Sequence, residues 1–525
     1  MFETNFTNWD WVIVVVYLLG TALIGMYVNR HVHNAGDYLV GGRQAGTALS
    51  IASFIGTGLG LVTLMYASMD GFNKGFAYLF VPLVALVVTM GLGASGFVIS
   101  RLRELKLTTI PEFFEIRFNR RVRVLAGIIC VLAGVLNMGL FPKMGATFIA
   151  YATGMGEPGQ SAETIVNVIT TLLIVMVLAY TVLGGMVAVL VTDYIQFVIL
   201  SLGLGLGLWM CFTSPELGWE KIVSTWSEEK GVAAFNPVHS DSFGWTYVIW
   251  MICLTFAAAL CWAPEVTRAL TTQDEQTTRR TFFLGAPGFF ARFAIPALWG
   301  ITAFVFVRHH PELNHYFGLD GTENPAGHSS QAMPLLIGKI VPTGLLGLLV
   351  AGLMAAFMST HDSYLLAWAS IVSQDIIAPL KGADKLSDKE SIRYTRVTVV
   401  GIGAFLLIWG IWYELPESVW TYMGVTGTVY VSGSATALIG GMYWKRASST
   451  GAVWAMCGGL FAIAGLFVDR LTAFVRNTAG PDAAKAVSAE SIALVVYGLC
   501  ILLFVAGSLL FPDATDQNPD ERILS

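Results

Sequence analysis

The chain has 525 residues, 55% of them apolar and only 12% charged, with a net charge of −5 at pH 7. The charged residues crowd into short segments between long uncharged runs, which excludes a soluble globular core and describes a polytopic membrane protein. So small a net charge on so long a chain says little about partners, and nucleic acid is not expected among them.

A helix needs roughly 20 apolar residues to cross the hydrocarbon layer. By this measure thirteen spans are predicted, at approximately 11–28, 46–69, 76–100, 124–153, 164–182, 188–212, 245–264, 282–307, 343–375, 395–413, 418–442, 451–469 and 490–511. No Lys or Arg precedes the first run, so it reads as a permanent span rather than a cleaved signal peptide. With the N-terminus outside, the 30 Lys and Arg divide into twenty in inner loops and seven outside, leaving Lys143, Arg292 and Lys339 in or beside spans. The positive-inside rule therefore places the N-terminus out and the C-terminus in the cytoplasm. The expected location is the plasma (inner) membrane.

The loops are short. The two longest outer ones, near 213–244 and 308–332, carry Trp, Pro and Gly and are read as short interfacial helices. The tail after Phe511 is polar and too brief for a signalling module. Six cysteines lie in or beside apolar segments without metal-like spacing and are expected as small core residues.

Three spans contain Gly or Pro in their interior: SFIGTGLGL at 53–61, GAPGFFARFAIP at 285–296 and MGVTGTVYVSGSATALIGG at 423–441. Such residues either break a helix, exposing carbonyls that must face protein or a water-filled cavity, or let helices pack closely. Only the first is taken as ion-site material, because it coincides with a second signal.

That signal is ionisable and hydroxyl chemistry at membrane depth. Lys143, Asp193, Arg292 and Asp362 fall inside spans, where each costs about 2.5–3.5 kcal/mol on insertion scales and marks a functional site by default. Lys339 is close enough to a boundary to snorkel. In FMSTHDSYLLAW at 357–368, helical spacing puts Ser359, Thr360 and Ser363 on one face with Ala356, Asp362 at its flank and His361 well away. A hard cation such as sodium prefers hydroxyls, carbonyls and a carboxylate. The bland alternative is hydroxyls bonded back to the preceding turn.

The sequence resembles the sodium:solute symporter family, whose fold is LeuT-like. The likeness rests on GGMVAVLVTDYIQ at 184–196, supported by YLVGGR at 38–43, TIPEFFEIRF at 109–118, TRALTTQDEQTTRR at 267–280, MSTHDSYLL at 358–366 and WKRASSTGA at 444–452. It implies an all-α single transporter domain: one extra N-terminal helix, two inverted five-helix repeats over about 46–212 and 245–442, and two trailing helices. It also implies a main sodium site from carbonyls of Ser53, Gly56 and Ala356 with the hydroxyls of Ser359 and Thr360. Asp193, Ser359, Asp362 and Ser363 fall at a second site of some members. Asp362 departs from the usual small residue there, which leaves a second sodium or a coupled proton open.

The same resemblance carries Arg292, four residues before Pro296, and Thr255 to substrate-contacting positions, while Ala258 replaces an expected aromatic gate. Lys143 falls where acid-transporting members carry a basic residue. Two cations facing one cavity suit a carboxylate-bearing small solute, although either could instead pair structurally with a carboxylate. The function expected is sodium-coupled symport of a small organic solute by alternating access. A proton-coupled symporter and a transporter-fold sensor are the alternatives, and an enzyme is disfavoured because His361 and Asp362 are about 100° apart on a helix.

Overall fold

The protein is described by a computed structural model over residues 3–28, 46–58, 60–156, 160–184, 186–239, 241–323, 325–382 and 386–513. Among these residues regular structure is helical, with no strand. The helices that position the site are α1 (Asn8–Val28), α2 (Thr47–Gly58), α3 (Leu61–Lys74), α4 (Phe80–Ser95), α5 (Ile110–Arg117), α6 (Arg120–Asn137), α7 (Phe141–Ala152), α8 (Gln160–Gly184) and α9 (Met186–Thr213). They continue with α10 (Gly244–Cys261), α11 (Ala263–Leu270), α12 (Glu275–His309), α13 (Leu345–Ile371), α14 (Asp388–Trp412), α15 (Val419–Tyr443), α16 (Ser449–Gly459) and α17 (Ala489–Leu510).

Among the described residues eight helices are long and apolar enough to cross a membrane. Other predicted spans correspond to shorter apolar stretches, such as Glu163–Ala179 and Val198–Thr213, to a helix interrupted midway, or, at 418–442, to the continuous but less apolar helix α15. Large hydrophobics on outward faces, among them Leu172, Val175, Leu202 and Ile408, are more than half exposed. In a bilayer these faces meet lipid instead of water.

The predicted break at 53–61 is present. α2 ends at Gly58, and Gly60 is extended (φ −100°, ψ 166°) before α3 begins. The Thr63 hydroxyl donates to the Gly58 carbonyl at 2.6 Å, satisfying one acceptor that the break releases. A second interruption, between α10 and α11, lies at Trp262 (φ −70°, ψ 111°) inside what reads in sequence as one span, 245–264. Pro264 causes it, because proline has no N–H to give the carbonyl of Leu260 and sits comfortably in the first turn of α11.

The other two Gly- and Pro-containing segments stay helical: α12 runs through Pro287 and Pro296, and α15 through all its glycines. Their small residues serve close packing. Gly288 receives Ile55, Gly300 lies on the Ser68 backbone and, reciprocally, Gly71 of α3 lies on the Ala297 backbone.

α1 docks on α13 through Asp10, which is fully buried. Its Oδ1 accepts from the backbone N–H groups of Gly344 and Gly347 at 2.7 and 2.8 Å, and its Oδ2 from Thr7 N–H and hydroxyl, both at 2.8 Å. A carboxylate is thus held at the N-terminus of the helix that carries the 357–368 motif, satisfying free donors and complementing its dipole. Gly344 precedes α13 with φ 85°, a conformation that excludes most side chains. Asp10→Ala is expected to destabilise the protein by about 1–2 kcal/mol by removing this cap. Thermal unfolding in detergent reads it as a lowered midpoint, restored only in part in Asp10→Asn, whose single carbonyl oxygen can meet the Gly344 and Gly347 donors but not those of Thr7.

Candidate functional site

Buried hydroxyls on helices usually bond back to the carbonyl one turn earlier. In this bundle Thr302, Thr395, Thr426, Thr428 and Ser432 all do so, at 2.7–2.9 Å. Thr360 does not. Its Oγ1 is buried without a hydrogen-bond partner and lies where a side chain at Gly60 would stand. An oxygen ligand is therefore turned from α13 toward the break between α2 and α3. Ser53 and Ala356 are buried, Gly56 is half-buried, and α2 packs against α13. The five residues expected around the main ion thus lie on two helices in contact, with an all-oxygen set of donors suited to a hard cation.

Asp362 and Ser363 are buried in the next turn, and the Thr181 hydroxyl of α8 donates to Asp362 Oδ1. Asp193, the partner expected there, has its side chain outside the described residues. His361 is placed away from this face: its Nδ1 meets the Phe357 carbonyl at 2.8 Å, and its ring packs against Phe357 and Phe141.

Beside the break is a cavity. Gly58 and Tyr66, Asn137, Glu265, Arg292, Thr360 and Trp420 line it from both sides of both interrupted helices. The Arg292 guanidinium is sandwiched by Phe289 and Phe293, at 4.2 and 4.5 Å from the ring centroids, and abuts Gly58. Nη2 reaches Glu265 Oε1 at 3.4 Å, while Nε and Nη1 have no partner. Asn137 donates to the Met423 carbonyl and the Thr426 hydroxyl at 2.8 and 3.1 Å, leaving its Oδ1 unpartnered. Tyr66 stacks on Trp420 at 4.7 Å and closes one side.

Of the residues expected at the substrate, only Arg292 lines this cavity. Thr255 lies beside Leu254 and three residues before Ala258, both of which line it, but about 100° round α10 from Leu254. Lys143 is two residues past the lining Phe141, and its Nζ donates to the Tyr413 carbonyl at 2.9 Å. That hydrogen bond ties Lys143 to the residue that ends α14. Glu265, Asn137, Tyr66 and Trp420 were not anticipated from sequence. The Pro264 signal would have placed Glu265 beside an interruption; the other three carry no local signature.

A model of the sodium:solute symporter family matches residues 38–459. Among curated proteins, the chain is 26% identical to the sodium/sialic acid symporter SiaT of Proteus mirabilis, over 86% of this chain and 88% of that one. It is 25% identical to the osmoregulated proline transporter OpuE of Bacillus subtilis, covering 85% and 86% respectively. A substrate-bound, outward-open Na+-coupled sialic acid symporter superposes with a TM-score of 0.74 at 21% identity, over 96% of this chain and 98% of that one. MhsT in complex with L-phenylalanine superposes at 0.52 with 14% identity, over 88% and 99%. These two share the LeuT-like fold.

Two glycines separate packing from helix propensity. Gly60→Ala is expected to cost about 1–3 kcal/mol, since its methyl collides with Thr360 although the backbone permits alanine. Gly91→Ala, in open space on α4, is expected to gain about 0.5–1 kcal/mol. Unfolding midpoints of the two variants should move in opposite directions.

Proposed function

The chain belongs to the sodium:solute symporter family and moves a small organic solute across the membrane coupled to sodium; from that premise we propose where ion and solute bind. The coupling ion sits between α2 and α13, held by the carbonyls of Ser53, Gly56 and Ala356 and the hydroxyls of Ser359 and Thr360. The observation that carries this assignment is the buried Thr360 hydroxyl, turned from its own helix onto the break. Asp362, with Ser363 and Asp193, forms a second cation site, for sodium or a proton. A novel Na+-site is described for the sialic acid symporter of similar fold.

The solute occupies the cavity and presents a carboxylate to Arg292. A desolvated guanidinium with two unpartnered nitrogens favours an anionic acceptor, and Glu265 holds it in place until that acceptor arrives. Lys143 and Thr255 support the walls from behind. Binding of sodium draws α2 and α13 together and keeps Gly58 against Arg292, so the ion favours the state in which the solute pocket is complete. Solute must then tighten sodium binding by the same factor. The two inverted repeats, over about 46–212 and 245–442, rock about this site, with the N-terminus outside and the C-terminus in the cytoplasm. In that orientation the cycle carries solute inward across the plasma membrane.

Uptake into proteoliposomes tests both assignments. Thr360→Ala is expected to raise the sodium concentration for half-maximal uptake about tenfold or more, the equivalent of one lost ligand worth about 1.4 kcal/mol. Unchanged sodium dependence would reject the ion site. Arg292→Ala is expected to lower kcat/KM for carboxylate-bearing solutes about tenfold to a hundredfold, the loss of one charge-assisted hydrogen bond. Lys143→Ala should leave it unchanged. Equal transport by the Arg292 variant would sink the carboxylate assignment without touching the sodium one.

A further inference from the structure

A second cavity opens at the end of the bundle that carries Lys74, and the cycle above gives it no role. It is lined by Asp70, Lys74, Ser242, Tyr247, Glu417 and Ser418, among others. Asp70 lies on α3, four residues beyond Tyr66 and so one turn past the Tyr66–Trp420 stack that closes the central cavity. It is only 4% exposed.

One of its oxygens has a structural explanation. Oδ1 accepts from the Ser418 hydroxyl at 3.4 Å, and Ser418 caps α15 by accepting from Thr421 N–H at 3.2 Å. The carboxyl group therefore stands beside the N-terminus of α15. Oδ2 has no partner. Lys74, one turn farther along α3, does not supply one: its Nζ donates to the Ser242 carbonyl at 2.7 Å and lies 5.5 Å from the Phe243 ring centroid. The Ser242 hydroxyl, on the same wall and 92% buried, is likewise unpartnered. Tyr247 and Thr421 add two more hydroxyl-bearing side chains, and Glu417 and Glu490 add negative charge against the positive charge of Lys74 and Lys230. His328 also borders the cavity, and burial lowers its pKa, favouring the neutral ring at pH 7.

A buried carboxyl oxygen and a buried hydroxyl, both without a hydrogen-bond partner and both on residues that line one cavity, are a costly arrangement unless something cationic meets them. We propose that Asp70, with the hydroxyls of Ser242 and its neighbours, forms a binding site for a monovalent cation, a staging position one turn outside the aromatic closure. All-oxygen chemistry suits sodium. The ammonium head of a solute presents the same charge, and the two sources are separable by experiment.

Asn73, half-buried and lining this cavity, offers a local reporter that is not itself a ligand. Full-length Asn73→Cys protein, purified without solute, is reacted with aminoethyl methanethiosulfonate in sodium chloride or choline chloride of equal ionic strength. The rate on the parent chain is subtracted for native thiols. Sodium is expected to slow modification about tenfold when present at about ten times its Kd. Asp70→Asn should remove this protection, and Asp70→Glu should retain it and show that the fold tolerates change there. Protection must also survive Thr360→Ala, which separates this site from the central one. Protection that persists in Asp70→Asn, is absent from the Asn73→Cys protein, or disappears with Thr360→Ala overturns the proposal. Stronger protection by methylammonium than by sodium would support the cation site and assign it to the solute's head group.

Discussion

A helix interrupted inside a bilayer releases backbone groups that no water can reach from the lipid side, and every other feature of this bundle accommodates that fact. At the first interruption the chain supplies its own partner, the Thr63 hydroxyl on the Gly58 carbonyl. At the second, Trp262 N–H still reaches the Ala258 carbonyl at 2.8 Å, and the Trp262 indole donates to the Tyr364 hydroxyl at 3.3 Å. Surrounding helices must come close enough to exclude lipid from both gaps, and glycine-to-backbone contacts along α3 and α12 allow that approach. What remains incompletely satisfied is confined to a cavity, where it becomes available chemistry.

Arginines of the loops and helix ends also meet carbonyls. Arg103 donates to the carbonyls of Thr272 and Gln273, Arg117 to those of Gly441 and Ala447, and Arg279 to that of Ala94. In sequence these residues report topology through their number on one side; in the structure they also close helix ends. Arg123 does more. It joins Glu115 at 2.5 Å and Asp375 at 2.7 Å, and Thr109 donates to the same Asp375 oxygen at 2.8 Å. Asp375 lies in the π-helical turn Val372–Ile377 that continues α13, so the helix bearing the ion-site hydroxyls is fastened below to α5 and α6 and above, by Asp10, to α1. A wide turn is the form a helix takes when a local contact must be met without breaking the rod.

Much of this was legible in one dimension, and the parts that were share a cause. Periodicity along a single helix puts Ser359, Thr360 and Ser363 on one face and His361 away from it, and the structure has His361 packed between Phe141 and Phe357. Glycine density marked the first interruption for the same reason, since the information is local. The cavity walls are different. Asn137, Glu265, Arg292 and Trp420 come from four helices spread over almost 300 residues, and no short stretch reveals that they converge. Lys143 shows the same limit. A buried lysine in a span reads as functional, and its hydrogen bond to a carbonyl 270 residues away has no trace in the local sequence. Proline was ambiguous in the same way: Pro264 ends a helix, whereas Pro287 and Pro296 are absorbed within one.

The contact between Arg292 and Gly58 carries a consequence in electrical terms. A guanidinium held against the end of the interrupted helix, with Glu265 at 3.4 Å as its one carboxylate partner, places positive charge beside the seat proposed for the ion, in a medium too dry to screen it well. On that proposal, an anion between them would act as the counterion that lets sodium settle. One sodium and one carboxylate would then travel as a neutral pair, on which the membrane voltage does no work. Only a further cation, at Asp362, would let the cell's potential pull the load inward.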